Sequence, residues 1–516
     1  MQRSEGVTTI ITTLLAPLAA LVVAAPGINS HVAAVTPVSD AGQFSAALAK
    51  ARPGDTIALA DGSYPTLTVN RQFASTVAIQ GSRNVKIAGM TFKNASNVKL
   101  SGVTITPPGN ARVKVALSSS SNITIDHILL DGRVESAGAV IDPDPDNSNI
   151  TIQDSEIVNC GTGARCIAPG ATNLRILRNN FHDCLDCDFI RGGGGNGTVV
   201  QGNTFDRAVA GSCQGGATVC HHNDHIQIMG GGPWTIVGNR FGDRGGGAAS
   251  VFVSEGPNNT SNRVHDVLVE SNIFKGKSTG HYGIVLGGSV GGGVGLPLRI
   301  SVVNNTILSG FAAAINIREE WAKLPADQRP LVANNILGIS KDSLCKGART
   351  SHNLVLQGDA CSTDTLGPAN LDDAGAPTKD SRLLINHGEA ADAPATDFFG
   401  RPRVGLPDIG AVEWISGLVV TAPKSLVLHL ARLRAYKWAV TVRVGAVGAA
   451  NVQARLVRRG KTLLTLVRPV AASGTLTLRF TLPRAARRPG QLGLVLRATS
   501  ADGKTGSRTV AILIRR

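Results

Sequence analysis

Ile176-Leu-Arg-Asn179-Asn-Phe181 joins strand-forming residues to an Asn and then, two positions later, to a large apolar side chain. This phrase recurs along the chain with Val or Ile first and Phe, Ile or Leu last, and its Asn is then Asn203, Asn239, Asn272, Asn305 or Asn335. An earlier copy, Ile152-Gln-Asp-Ser155-Glu-Ile157, has Ser in place of Asn. One repeated unit therefore builds this part of the chain and decides its fold.

The spacing of the copies gives the size of the unit. Counted from Ser155 to Asn335, successive copies are 24, 24, 36, 33, 33 and 30 residues apart. A coil of about 24 residues with insertions cannot bury its own apolar face, so coils stack about 4.8 Å apart in a solenoid of strands. Asn suits a coil corner because it tolerates the left-handed backbone region and because its amides can form a ladder. We expect the six Asn corners to lie on one line along the axis.

Two further stretches carry a resemblance to known families. The repeat resembles the right-handed parallel β-helix of pectate-lyase-like proteins, and Val38 to Tyr64 (VSDAGQFSAALAKARPGDTIALADGSY) resembles the entry segment of the chondroitinase B and alginate lyase family. Asp397 to Trp414 (DFFGRPRVGLPDIGAVEW) resembles the tail that closes many secreted β-helix proteins. The resemblance implies an all-β, right-handed parallel β-helix over residues 36–414. It also implies an N-terminal cap helix, placed by its helical spacing over Ala41 to Ala51.

The remaining residues differ in charge and pattern. Residues 418–516 contain 19 Lys and Arg and a single acid, Asp502, which is a net charge of +18, whereas the whole chain carries +15. Alternating runs such as Leu426-Val-Leu-His-Leu predict a small antiparallel, Ig-like β-sandwich. So basic a module predicts an anionic cell-wall polymer or glycan as partner. Nucleic acid ranks lower because few aromatic residues are present for stacking, and a solvated basic surface is the alternative.

The N-terminus and the cysteines indicate export. Arg3 precedes an apolar stretch from Val7 to Ala25, which predicts a signal peptide within residues 1–34 and a secreted or cell-wall-associated protein; an uncleaved anchor is the alternative. No later apolar run predicts a membrane span. Eight Cys in an exported chain predict disulfides, with the pairs Cys213–Cys220 and Cys345–Cys361 suggested by short loops. Zinc held by Cys184 and Cys187 near His221 and His222 is the alternative for those residues.

A second strand in each coil predicts where polar side chains meet. Aligning its central apolar residue stacks Ile141, Ile167, Ile190, Ile226, Phe252, Ile284 and Ile315. Asp186, Asp188 and Arg191 then lie on the coil next to that of His222, Asp224 and Gln227. Asp188 and Asp224, about 5 Å apart, would repel each other unless Ca²⁺, a shared proton or Arg165 intervened. The alternative is that these acids cap backbone amides at a corner.

Eliminative cleavage of a uronate needs its carboxylate neutralised, a base for the C5 proton and an acid for the leaving oxygen. Arg191 or Arg318 could neutralise the charge, and the acid could be Tyr282 or His281. Candidate bases are His222, Lys275 and Lys277. We assign the catalytic role to Asp188, Arg191, His222 and Asp224. We assign substrate binding to Asp186, Gln227, His281, Tyr282 and Arg318.

A polysaccharide lyase acting on acidic, uronate-containing polysaccharide is therefore the favoured function, with Ca²⁺ at Asp188 and Asp224 and a monomeric chain expected. The Lys-bearing catalytic strand of the resembled lyases is not found in this sequence. The run Gly280 to Gly287 faintly resembles the Gly-His-Gly segment of polygalacturonases, so an inverting hydrolase using paired acids is one alternative. A non-catalytic glycan-binding or adhesin-like surface protein is the other.

Overall fold

A computed structural model of the 516-residue chain describes residues 32–106, 114–132, 139–161, 165–193, 195–209, 223–244, 249–256, 262–276, 282–289, 295–308, 312–403, 405–414, 419–435, 437–447, 451–470, 475–499 and 505–515. The predicted signal peptide therefore lies outside the described residues, apart from its last three positions. Three parallel sheets, here sheets A, B and C, occupy most of the chain up to residue 366.

Each coil visits the three sheets in turn. Sheet A contains the strands Val35–Val38, Thr56–Leu59, Gln72–Gln80, Ser96–Ser101, Ser121–Asp126, Ser148–Gln153, Arg175–Leu177, Thr198–Gln201, Trp234–Val237, His265–Glu270, Leu298–Val303, Leu331–Ala333 and Arg349–Ser351. Sheet B contains Gly62–Tyr64, Val85–Ile87, Thr104–Ile105, Leu129–Asp131, Glu156–Val158, Asn180–Leu185, Thr204–Val209, Arg240–Phe241, Ile273–Phe274, Thr306–Ile307, Ile336–Ser340, Leu354–Gly358 and Thr365–Leu366. Sheet C contains Leu67–Val69, Met90–Lys93, Val115–Ser118, Ala139–Pro143, Arg165–Ile167, Asp188–Gly193, Ile226–Gly230, Ala249–Glu255, Tyr282–Ser289 and Ala313–Ile317. The predicted right-handed parallel β-helix is confirmed.

The core is a set of columns in which like residues of successive coils stack. Ile152, Ile176, Val200 and Ile236 follow one another in sheet A and are fully buried. In sheet B the rings of Phe181, Phe205, Phe241 and Phe274 stack with centroids 4.5 to 5.1 Å apart. Aliphatic columns and this one aromatic stack fill the interior, which is how a chain with only 4% aromatic residues builds a large core.

The corner between sheets A and B carries the predicted Asn line. The side-chain oxygen of Asn203 accepts the backbone N–H of Asn179 at 2.8 Å, and the same bond links Asn239 to Asn203 and Asn272 to Asn239. The ladder runs on through Asn305, Asn335 and Asn353 to Asp364. The expectation that the Asn corners form one line is confirmed.

One part of the corner prediction is wrong. The left-handed residue is not the ladder Asn but the residue just before it, such as Arg178 (φ 55°), Ser271 (φ 51°) or Asn304 (φ 51°). The ladder Asn residues are buried, and they are selected for their amides rather than for backbone tolerance. Arg178, which is exposed, forms a two-bond ion pair with Asp154 of the preceding coil, with N–O distances of 2.6 and 2.7 Å.

Two segments close the helix. The cap helix, Ala41–Lys50, buries Phe44 and Leu48, and the Asp40 side chain accepts the N–H of Gln43 at its start. Near the other end, the tail resembling secreted β-helix closures lies against the A–B corner, where Asn304 donates to the carbonyl of Asp408 at 2.9 Å. Burial raises the pKa of the Asp408 carboxyl to about 6. Shorter helical segments are the α-helices Asp342–Gly347 and Leu430–Ala435 and the 3-10 helices Glu319–Lys323, Ala326–Gln328, Ala390–Asp392 and Arg484–Ala486.

The C-terminal strands form two small sheets. One contains Val419–Thr421, Ala439–Val447 and Thr475–Thr481, and the other contains Ser425–His429, Asn451–Arg458, Lys461–Pro469, Gly490–Thr499 and Thr505–Arg515. The pairs are antiparallel except that Ser425–His429 runs parallel to Thr505–Arg515, so the second sheet is mixed. Their buried apolar residues form a cluster of their own, drawn from residues 433–514.

Among the described residues, disulfides cross-link the β-helix at three places. Cys160 is bonded to Cys166, Cys184 to Cys187 and Cys345 to Cys361, so the predicted Cys345–Cys361 pair is confirmed. The zinc alternative for Cys184 and Cys187, which requires free thiolates, is wrong. The suggested pair Cys213–Cys220 lies outside the described residues. Within the described ranges, none of the helices has the length and apolar character needed to cross a membrane.

Candidate functional site

Sheet C brings the predicted polar residues together on adjacent coils. Ile190 pairs with Ile226 and Arg191 with Gln227, which is the predicted register. The next coil differs, because Val251 rather than Phe252 continues the inward column. Phe252 instead faces outward and packs with Val285. The predicted alignment of this strand is therefore wrong by one residue.

Asp188 begins the sheet C strand Asp188–Gly193, and Asp224 lies two residues before the strand of the next coil, Ile226–Gly230. Both acids are fully buried. The Oδ1 of Asp188 accepts the backbone N–H of Asp224 at 2.7 Å, and the Oδ1 of Asp224 accepts the N–H of Ala249 at 2.6 Å. The Oδ2 of Asp188 accepts a hydrogen bond from Arg191 at 2.9 Å. Each acid thus caps the coil above it, as the corner-cap alternative predicts.

Two arginines, Arg165 and Arg191, lie on adjacent strands of sheet C, near enough for their charges to interact. Arg165 pairs with Asp188 across the strands and is half-buried, and the Arg191 side chain is 31% exposed. Burial and the nearby Arg191 lower the pKa of Arg165, while Asp142 and Asp188 partly offset this effect. Arg165 has no hydrogen bond or ion pair with any described residue. Arg165 and Arg191 therefore repel each other at this site, and the carboxylates of Asp142 and Asp188 only partly offset that repulsion.

Arg244 is a charged residue that sequence reasoning missed. It is 2% exposed at the corner between sheets B and C, where burial lowers its pKa to about 10 and Asp224 opposes the shift. Its Nη2 donates to the backbone carbonyl of Tyr282 at 3.2 Å. Arg244 lies three residues after Phe241, just as the buried Ala208 lies three residues after Phe205, and the two residues pair in neighbouring coils. The repeat therefore indicates that Arg244 is buried at this corner.

The other predicted site residues are spread more widely. Gln227 is buried next to Arg191, and Asp186 is a buried left-handed residue before the Asp188 strand. Tyr282 is partly buried, two coils beyond Asp224. Arg318 is exposed at the end of the last sheet C strand, four coils or about 19 Å from Asp188. The structure therefore does not bring Arg318 to the Asp188 cluster.

Three of the proposed acid and base residues, His222, His281 and Lys277, lie outside the described residues, as does His221. Lys275 is exposed and donates to the backbone carbonyl of Asp373, on the B side of its coil. His225 is fully buried against the ring of Phe189, at 5.7 Å between centroids, and burial lowers its pKa. His225 is therefore a neutral core residue.

The donor set at Asp188 and Asp224 does not fit a calcium ion. Calcium takes six to eight oxygen ligands. Both oxygens of Asp188 already accept hydrogen bonds, and one oxygen of Asp224 does so. We therefore assign no step to calcium, and a metal requirement is left to the chelator experiment described below.

Substituting Asp224 separates its structural role from its chemical one. Asp224→Asn keeps an oxygen for the Ala249 N–H, so the free energy of unfolding should change by less than about 1 kcal/mol. Asp224→Ala leaves that buried N–H without its acceptor and should cost about 1–3 kcal/mol. Urea unfolding of both variants measures this difference. Equal stability of the two variants would contradict the capping role.

Comparisons with known proteins concern the fold. A family model described as a right-handed β-helix region matches residues 50–218. A search of curated proteins gave no match.

Similar solved structures include an alginate lyase from Paenibacillus sp. str. FPU-7, with 15% identity over 55% of this chain and 97% of that chain and a TM-score of 0.41. A PL6 family polysaccharide lyase from Pseudopedobacter saltans shares 14% identity over 74% of this chain and 100% of its own, with a TM-score of 0.29. A tailspike capsular polysaccharide depolymerase from Acinetobacter baumannii bacteriophage Fri1 shares 9% identity over 93% and 78% of the two chains, with a TM-score of 0.34. Nothing about the site is inferred from these similarities.

Proposed function

We propose that the chain is a secreted polysaccharide lyase that binds uronate-containing polysaccharide on the outer face of sheet C, at Arg165 and Arg191. The observation that supports this most is the pair of arginines on adjacent coils, Arg165 and Arg191, whose mutual repulsion the nearby Asp142 and Asp188 only partly offset. Two like charges held together in this way are stabilised when an anion binds between them. A uronate carboxylate suits guanidinium groups, which recognise it through two parallel hydrogen bonds.

The site's residues take separate roles in this proposal. Arg165 and Arg191 neutralise the uronate carboxylate, which favours loss of the C5 proton. Asp188 orients Arg191 through their ion pair at 2.9 Å. Arg244 positions the strand of Tyr282 by bonding its carbonyl, and the Tyr282 phenol is the proposed acid for the leaving oxygen. In the elimination a base takes the C5 proton, the C4–O bond breaks and the C4–C5 double bond forms.

The geometry does not favour an inverting hydrolase. Such an enzyme needs one accessible acid and one accessible base about 6.5–9.5 Å apart with a water between them. Asp188 and Asp224 are fully buried, and an oxygen of each accepts a backbone N–H. The non-catalytic binder shares the Arg pair with the lyase, so only an assay of cleavage separates these two functions.

Incubation with alginate, polygalacturonate and chondroitin, alongside a neutral glucan, tests the proposal. We expect ultraviolet absorbance of a 4,5-unsaturated product from at least one uronate polymer and none from the neutral one. Because two arginines supply the positive charge, the rate should persist in chelator. Binding without product would identify a glycan-binding protein, and reducing ends without the double bond would identify a hydrolase. Loss of rate in chelator with recovery in Ca²⁺ would show a calcium requirement.

A further inference from the structure

The C-terminal sheets contain a groove of about 760 Å³ lined by arginines. Its walls are the hairpin end at residues 458–459 and the loop at 485–491, here together called the basic groove. Its volume falls within the roughly 300–1,000 Å³ of typical small-ligand sites. The groove therefore has room for a sugar unit of a polymer and a strongly positive lining.

One arginine of the groove builds its shape. Arg458 donates from Nη1 to the carbonyl of Ala485 at 2.9 Å and from Nη2 to those of Arg488 and Pro489 at 3.0 and 3.1 Å. These bonds tie the loop to the hairpin and fix the distance between the two walls. Arg458 is thus committed to structure, whereas Arg459 and Arg488 have exposed side chains on either wall.

Arg459 occupies a position that its backbone does not favour. It forms a two-residue hairpin turn with Gly460, and both have positive φ, 49° and 79°. Such turns favour Asn-Gly, and a left-handed Arg costs roughly 1–2 kcal/mol. The left-handed turn places the cationic side chain of Arg459 at the rim of the groove.

No carboxylate neutralises these cations in the described part of the module, whose single acid, Asp502, lies outside it. Aromatic platforms are also lacking there. Phe480 is 8% exposed, and the Arg487 guanidinium lies over the Trp438 ring at 5.0 Å. Single-stranded nucleic acid binding depends on stacking of bases on aromatic rings. The groove therefore suits a carboxylate-bearing polysaccharide better than a nucleic acid.

We propose that the basic groove binds anionic polysaccharide through Arg459 and Arg488, with the uronate carboxylate as the recognised group. The proposal does not rest on cleavage by the β-helix. It identifies a second polymer site on the chain, which would hold the polymer near the sheet C face or anchor the protein to a wall polymer.

Fluorescence polarisation with labelled polygalacturonate tests the groove, with every protein in an Arg165→Ala background so that the β-helix is identical throughout. The test variant is Arg459→Asn with Arg488→Ala, since Asn accepts the left-handed turn. The matched control is Arg443→Ala with Arg479→Ala, two exposed arginines on the other sheet, which removes the same charge. The test variant should bind about tenfold more weakly and the control less than about threefold more weakly.

Three results would overturn the proposal. Equal weakening in both variants would mean that the whole basic surface attracts the polymer and that the groove is not special. Tighter binding of labelled oligothymidylate than of polygalacturonate by the Arg165→Ala protein would make nucleic acid the ligand class. No binding of polygalacturonate at low salt would remove the site altogether. Thermal unfolding of each variant shows that the module is still folded, so weak binding cannot come from misfolding.

Discussion

Arg165→Ala should lower kcat/KM on the cleaved uronate polymer by about 100- to 1,000-fold, the range for removing one preorganised electrostatic group. The substitution removes a half-buried guanidinium whose repulsion by Arg191 is only partly offset by Asp142 and Asp188. Arg191 stays, ion-paired to Asp188, so the polymer should still bind, although more weakly. Initial rates of the unsaturated product at several polymer concentrations measure the loss.

The free energy of unfolding of Arg165→Ala should stay the same or rise slightly. Because burial and Arg191 lower the pKa of Arg165, its charged form is less favourable in the folded protein than in water. Removing it should change the free energy of unfolding by less than about 1 kcal/mol. Arg165 is thus a cation that folding does not require. This is expected of a residue that is retained for function at some cost in stability.

A matched control is Arg178→Ala. Arg178 is an exposed arginine of the same β-helix, but it lies at the A–B corner and forms an ion pair with Asp154. Its loss should cost less than about 1 kcal/mol and leave the rate unchanged. If Arg165→Ala instead unfolds the protein while the activity per folded molecule survives, Arg165 is structural and the site lies elsewhere.

The Asn repeat predicted the coil, the axis and the corner because those features depend on short-range periodicity. The register of Ala249–Glu255 could not be predicted in the same way, since every residue of that strand is buried and no polar alternation marks its inner face. Choosing the larger Phe252 over Val251 placed the wrong residue inside.

The site was only partly predictable for a related reason. Column alignment brought Asp188, Arg191, Asp224 and Gln227 together, but it does not show which way a carboxylate turns. Both acids turn toward the next coil's amide, and a hydrogen bond of that kind leaves no mark in the sequence. The repeat places Arg244 beside Ala208, but its hydrogen bond to Tyr282, 38 residues away, cannot be read from that alignment.

Asn272→Ala should lower the free energy of unfolding by about 4 kcal/mol. The Oδ1 of Asn272 accepts both the N–H and the side-chain amide of Asn239, at 2.8 and 3.0 Å. Its own amide donates to the carbonyl of Ile236 at 2.8 Å and to Asn305 at 3.0 Å. Alanine leaves these groups buried without partners, and each such group costs about 1–3 kcal/mol.

The exposed Asn84 provides the control for Asn272. Asn84 donates a side-chain hydrogen bond of 2.9 Å to Asp61, yet water can replace that bond. Asn84→Ala should therefore cost less than about 1 kcal/mol, as measured by urea unfolding alongside Asn272→Ala. Because each coil depends on its neighbours, we expect the loss at Asn272 to lower the midpoint of the whole helix rather than to open one coil. A separate early transition confined to the coils near residue 272 would show that the ladder acts only locally.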